Sequence, residues 1–107
     1  MLPQDDSAGW TALLRAFTNR NLGRLTRLEI DDPAIGAQWQ EHGLPLQGVV
    51  YEPGDGTVEI FVGTAEGPRL SHRVAGVRAV DVQEDRGRDT LLRLAHEGGQ
   101  TLLLLVA

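Results

Sequence analysis

The sequence lacks two residue types entirely, cysteine and lysine. Without cysteine, the chain can form neither a disulfide framework nor a metal site built on thiolates. Because lysine is absent, all ten basic residues are arginines, which pair with carboxylates through two hydrogen bonds more readily than lysines do. Fifteen acidic residues outnumber them and leave a formal net charge of −5. Nucleic-acid binding depends on neutralising phosphates, so this charge predicts that nucleic acid is not a partner.

Long hydrophobic runs are missing as well. The apolar stretch over residues 102–106 has the length of a strand and is too short to span a membrane. The acidic first six residues are followed by no apolar segment, which argues against a signal peptide. We therefore expect a cytoplasmic protein with no membrane partner. Its 107 residues suit a single domain over residues 1–107.

An N-terminal helix is predicted over residues 7–20. Its apolar side chains recur at positions i, i+3, i+4 and i+7, so that they share one face: Trp10, Leu13, Leu14 and Phe17. Ser7 is the expected N-cap of this helix. We interpret the apolar face as part of the core, in preference to a surface on which a ligand stacks.

Residues 24–107 are mainly typical of antiparallel strands, since apolar and polar residues alternate along them. The clearest hairpin joins residues 46–52 to residues 57–63 through the turn Pro53-Gly54-Asp55-Gly56. About six short strands with tight turns predict an α+β fold. In this fold the N-terminal helix covers a strongly bent antiparallel sheet or a small Sm-like or SH3-like barrel.

A second, short helix is one interpretation of residues 33–42. Asp32 as an N-cap, followed by Pro33 in the first turn, favours the start of a helix, and Gly43 is suited to end it. Gly36, inside the same segment, disfavours a helix. The sequence leaves both conformations open.

The three histidines offer no recognisable metal site, because they lie far apart and lack the spacing of a zinc motif: His42, His72 and His96. Neither serine lies in the Gly-x-Ser-x-Gly turn that exposes a catalytic nucleophile. We therefore predict no bound metal, no cofactor and no catalytic residue.

His72 is the histidine of greatest interest, because the alternation of its predicted strand puts it on the same face as Leu70 and Val74. A polar ring on an apolar face must form hydrogen bonds if it is buried. One interpretation is therefore a structural histidine. The alternative is a binding residue at the mouth of a pocket, aided by Arg73 or Arg78.

The C-terminal strand is apolar on both faces. An antiparallel strand with one wet face should alternate, as Leu92-Arg93-Leu94 does, whereas residues 102–106 do not. Both faces must therefore be covered, and the N-terminal helix or a second subunit is available to do so. This pattern predicts a homodimer or a protein partner, with Leu103, Leu104 and Leu105 as interface residues.

A set of residues along the whole chain occurs in a recognisable order: Pro3, Trp10, Phe17, Asn21-Leu22-Gly23, Glu29, Gly36, Leu44-Pro45-Leu46-Gln47-Gly48, Tyr51 and His72-x-Val74. This order resembles a family of small bacterial single-domain proteins of unknown function. The Leu-Pro-Leu-x-Gly segment is its most specific part, and Val77 stands where the family has a proline. Because the family has no assigned function, the resemblance implies no catalytic residue and no ligand.

Two classes of function are consistent with these observations. The first is a non-enzymatic interaction or self-association module, which acts through a sheet edge. The alternative is a small-molecule-binding or hydrolytic domain with a pocket near His72. A carboxylate within hydrogen-bond reach of His72 would favour the alternative.

Overall fold

The computed structural model describes residues 6–32, 36–64, 66–67 and 69–106. A 3-10 turn, Asp6–Gly9, leads into helix α1, Trp10–Asn21. Seven strands follow in the chain: β1 Leu25–Asp32, β2 Gly36–Glu52, β3 Thr57–Gly63, β4 Arg69–Val74, β5 Val77–Asp85, β6 Arg88–His96 and β7 Gly99–Leu105. This order confirms the predicted α+β class.

All seven strands form one sheet in the order β4-β3-β2-β1-β7-β6-β5, and each neighbouring pair is antiparallel. The sheet is strongly bent, as predicted, but it is not closed into a barrel. Its two edges are β4 and β5, which follow one another in the chain and yet do not pair. The bend brings the buried side chains of the sheet into one core with those of α1.

The short helix considered for residues 33–42 is wrong for the part that the structure describes. From Gly36 onward these residues belong to β2, which runs for 17 residues. Trp39, for example, lies opposite Glu29 in the ladder with β1. The neighbouring strand supplies the backbone hydrogen-bond partners that a helix would have supplied locally, and this tertiary pairing overrules the local helix signal. Residues 33–35 lie outside the described residues.

Helix α1 contributes a narrower apolar face to the core than the sequence predicts. Trp10, Leu14 and Phe17 are buried as predicted, but Leu13 is 36% exposed. Asn21, at the end of the helix, is buried although Leu13 is not, and its exposure is 2%. The buried helix positions are therefore spaced i, i+4, i+7 and i+11, a stripe that is tilted away from Leu13.

The start of α1 also differs from the expectation. Ser7 lies inside the 3-10 turn, and the residue that precedes the helix is Gly9. Gly9 has no side chain, and no side-chain cap hydrogen bond forms at this N-cap position. The predicted Ser7 cap is therefore wrong, because the α-helical turn begins three residues later, at Trp10.

Helix α1 is anchored to β2 by one hydroxyl and one aromatic contact. The Oγ1 of Thr18 accepts a hydrogen bond from the backbone N–H of Val49 at 3.0 Å and donates one to its carbonyl at 3.4 Å. The Trp10 and Tyr51 rings meet edge to face with centroids 5.1 Å apart. These contacts fix the helix along β2, and we call the face of the sheet that packs against it the inner face.

Candidate functional site at the open edges of the sheet

The two edges of the sheet arise at a short connection between β4 and β5. Only Ala75 and Gly76 separate these strands, and Gly76 adopts a φ of +65°, which favours glycine. Val77 then donates its backbone N–H to the carbonyl of Gly56, in the turn between β2 and β3, at 3.1 Å. Because β5 starts from this contact and continues along β6, β4 and β5 remain separate edges.

His72 lies on the edge strand β4, opposite Ile60 of β3. It is half-buried on the inner face, since Val74 on the same face is fully buried, whereas Leu70 is 41% exposed. Burial, followed by the nearby His96, lowers the pKa of His72 below its ordinary value. Among the described residues, the His72 ring has no carboxylate as a hydrogen-bond partner.

Arg73 and Arg78 each form an exposed ion pair. Arg73 contacts Asp55 at 3.1 Å, with both side chains 62% exposed. Arg78 contacts Glu97 at 3.8 Å, on the surface beside β5. Exposed pairs of this kind contribute about 0–1 kcal/mol, so neither pair holds its arginine firmly in one place. Since neighbouring residues of a strand point to opposite faces, Arg73 and His72 do not converge on a common pocket.

The other edge strand, β5, combines a small apolar inner face with charges along its length. Val80 and Val82 are half-buried, lie opposite Leu94 and Leu92 of β6, and pack against the core. The charged residues are Arg78 near the start of β5, Asp81 in the middle, and Glu84 and Asp85 at the end. On its other side, no strand of the described chain pairs with β5. The 3-10 turn Asp6–Gly9 lies close to β5 without pairing with it, so within the described residues the backbone of this edge has no strand partner.

Within the described residues, no group of three or more His, Asp or Glu side chains could hold a metal ion. The helices that the structure describes include none long and apolar enough to cross a membrane.

The model of one protein family, described as "Family of unknown function (DUF5335)", matches residues 4–106. The chain belongs to this family. No curated protein and no solved structure matches the chain. Because the DUF5335 family has no assigned function, membership in it assigns no activity and no ligand to this chain.

In this DUF5335 chain, the three leucines predicted as interface residues lie on a central strand, since β7 runs between β1 and β6. Leu103 and Leu105 are buried in the core, at 1% and 8% exposure. Leu104 points to the outer face, where it is half-buried between Arg27 and Leu91 of the neighbouring strands. Of the three, only Leu104 is accessible to another molecule.

Only part of the β5 edge can be recognised from the sequence. The alternation of Val80 and Val82 is visible in it, and Arg78 is one of the candidate binding residues. No local signal shows that β5 ends the sheet, because this follows from the pairing of β6 with β7 and of β7 with β1.

Proposed function

We propose that this DUF5335 protein is a non-enzymatic self-association module that dimerises by pairing β5 with β5 of a second copy. The single observation that carries the proposal is the open edge at β5. This strand has nine residues, a half-buried apolar inner face and opposite charges at its two ends. An unpaired strand of this length is a template for another strand, and most homodimers use a two-fold axis.

The side chains of β5 favour one register for such a pair. A two-fold axis through Asp81 places Val80 opposite Val82 of the second copy, and Arg78 opposite its Glu84. Each of these pairs occurs twice, so the dimer gains apolar and charge complementarity together. Moving the axis by one residue sets Arg78 against a valine, or Val80 against a glutamate. Alternation thus disfavours the neighbouring registers.

The centre of this arrangement brings two copies of Asp81 together. Each Asp81 already forms an ion pair with Arg93 of its own chain, at 3.1 Å. This arginine offsets the repulsion between the two carboxylates. Bulges interrupt the β5–β6 ladder beside Arg78 and beside Glu84. The new ladder is therefore short, and we assign the choice of register to the charge pairs at its ends.

The alternative function, a binding or hydrolytic pocket at His72, has less support from the geometry. Arg73 lies on the opposite face of β4 from His72, and no carboxylate of the described residues forms a hydrogen bond with the His72 ring. A half-buried histidine on the inner face of a sheet is also a normal structural feature at the periphery of a hydrophobic core. We therefore favour self-association.

Charge reversal tests this proposal. Sedimentation velocity over a concentration series should give twice the mass of one chain for the wild type. Arg78→Glu and Glu84→Arg should each give monomers, because each places like charges opposite one another twice. An equimolar mixture of these two variants should dimerise again, since every facing pair in the mixed dimer is then of opposite sign. The double variant Arg78→Glu/Glu84→Arg should also dimerise.

Arg86→Glu is the matched control, because it makes the same charge change in the turn that follows β5. It should leave the dimer intact, and thermal melts should show that all variants are folded. A wild type that stays monomeric at every concentration would contradict the proposal. So would single variants that dimerise normally, or a mixture that does not.

A further inference from the structure

A second feature lies where the end of α1 meets the turn between β5 and β6. It is a recess of about 500 Å³, lined by Arg20, Asn21, Arg24, Gly87, Arg88 and Asp89. Three arginines and one aspartate give this recess a formal charge of +2, in a chain whose net charge is −5. The volume lies in the range of small-molecule sites.

Asp89 organises one wall of the recess from within the protein. Its side chain is 4% exposed, and its Oδ2 accepts hydrogen bonds from Arg20 Nε at 2.9 Å and from Asn21 Nδ2 at 2.6 Å. Burial alone would raise the pKa of Asp89. The hydrogen bonds from Asn21 and Arg20, with the charges of Arg20 and Arg24, outweigh burial and place this pKa below its ordinary value. The carboxylate is therefore ionised at neutral pH.

Arg24 is held in place on the same wall. Its Nη1 donates to Asn21 Oδ1 at 2.8 Å and to the carbonyl of Asp89 at 2.7 Å. Burial, and then the charge of Arg88, lower the pKa of Arg24 although Asp89 acts in the opposite direction. Arg24 and Arg88 are thus like charges that repel each other across the recess. An anion bound between them would remove this repulsion.

Arg88 differs from the other two arginines. Its side chain forms no ion pair or hydrogen bond with any described residue, whereas Arg20 and Arg24 are both tied to Asp89. It follows a tight turn in which Arg86 and Gly87 both have positive φ, at 54° and 79°. This turn directs β6 back along β5 and sets Arg88 at the mouth of the recess. The recess therefore has two fixed cations and one that is free to close on a ligand.

We infer that this recess binds the phosphate group of a small molecule between Arg20, Arg24 and Arg88. A guanidinium presents its N–H groups in a planar fork that matches two oxygens of a phosphate. The hydrogen bonds to Asp89 and Asn21 hold two of the forks before the ligand arrives, which reduces the entropy lost on binding. The recess is larger than a phosphate ion and leaves room for the group that carries it. This site does not depend on the proposed β5 dimer.

The test is a titration of ¹⁵N-labelled protein, followed by NMR, in a phosphate-free buffer at neutral pH and low salt. The probes are inorganic phosphate and ribose 5-phosphate. We expect saturable shifts centred on the amides of Arg24, Gly87 and Arg88. Arg88→Gln should weaken binding about tenfold or more, because it removes a hydrogen bond between two charged groups. Because Arg88 is exposed, the variant should fold like the wild type, and the amide spectrum checks this directly.

Arg86→Gln is the matched control, since it removes the same charge from the neighbouring position without touching the recess. It should change the Kd by less than about twofold, the level expected for a screened surface charge. Tighter binding of ribose 5-phosphate assigns the site to phosphate esters, and equal binding assigns it to free phosphate. The inference is overturned if the wild type shows no saturable shifts, or if both variants weaken binding equally.

Discussion

Replacing Asp89 by asparagine removes one negative charge and keeps the size of the side chain. In the native protein the Asp89 carboxylate accepts hydrogen bonds from two donors, Arg20 and Asn21, on the same oxygen. An asparagine has one amide oxygen, and its NH₂ group would face donors if it were turned toward them. The substitution therefore weakens the only charged connection between the end of α1 and β6 that the described residues show.

The size of the loss follows from the exposure of the two donors. A hydrogen bond to a charged group contributes about 1.5–3 kcal/mol. Asn21 is 2% exposed, so water cannot make up for the weaker bond that its Nδ2 forms with a neutral amide oxygen, although Nδ2 keeps a second bond to the Phe17 carbonyl at 2.8 Å. The Arg20 side chain is 52% exposed, so water compensates for most of its contribution. We therefore expect Asp89→Asn to lower the free energy of unfolding by about 2 kcal/mol.

Urea unfolding at pH 7 measures this loss. The matched control is Asp55→Asn, which breaks an ion pair with Arg73 in which both side chains are 62% exposed. The control should lower the free energy of unfolding by less than about 1 kcal/mol. Equal losses in the two variants would show that burial of Asp89 adds nothing, and would refute the reasoning.

The difference in stability between the wild type and Asp89→Asn should also depend on pH, in a direction that follows from the pKa of Asp89. The pKa of Asp89 in the folded protein lies below its ordinary value of 3.8, because its hydrogen bonds and the nearby arginines outweigh burial. The stabilisation by the carboxylate is therefore complete at pH values above the ordinary value, and is lost as the pH falls through the folded pKa. The difference in stability between wild type and Asp89→Asn should be constant near pH 7 and shrink below about pH 4. A difference that grows on acidification would contradict the assignment.

Two further predictions concern the core and the charge of the surface. Phe17→Ala should lower the free energy of unfolding by about 3–5 kcal/mol, because Phe17 is 0% exposed; Leu13→Ala, at a helix position that is 36% exposed, should cost less than about 1 kcal/mol. Similar losses in the two variants, measured by denaturant unfolding, would contradict the observed orientation of α1. In a gel-shift assay at physiological salt, the protein should not shift random-sequence DNA or RNA, because its net charge of −5 opposes contact with many phosphates at once. A salt-sensitive shift at micromolar protein would contradict this.

Much of the fold could be predicted because it depends on short-range periodicity. The stripe through Trp10, Leu14 and Phe17 follows from the helical repeat, and the alternation of Val58, Ile60 and Val62 follows from the strand repeat. Both predictions are confirmed for these residues, whereas Leu13, which the helical repeat also assigns to the stripe, is 36% exposed. The segment from Gly36 to His42 could not be predicted in this way, because its conformation depends on pairing with β1. Local helix signals carry no information about a partner strand elsewhere in the chain.

The two candidate sites show a similar division. Arg78, Val80 and Val82 are recognisable as members of an alternating strand, but their position at an edge depends on the order of all seven strands. The arginine recess was missed altogether. In the sequence, Asp89 follows Arg88 directly and offsets its charge, so no basic site is recognisable there. In the structure Asp89 is buried against Arg20, more than 60 residues away in the chain, and Arg88 keeps its charge at the recess.

The sequence by itself determined the helix, the turns, most of the strands and the absence of thiolate chemistry, since each depends on residue type or on spacing within a few residues. The tertiary structure alone decided which strands became edges, and it also decided that Asn21 and Asp89 meet in the interior at 2.6 Å. The physical reason is that hydrogen-bond pairing between strands, and the desolvation of charges by packing, depend on residues that are distant in the chain. Both candidate functions, pairing at β5 and phosphate binding between Arg20, Arg24 and Arg88, belong to this second group.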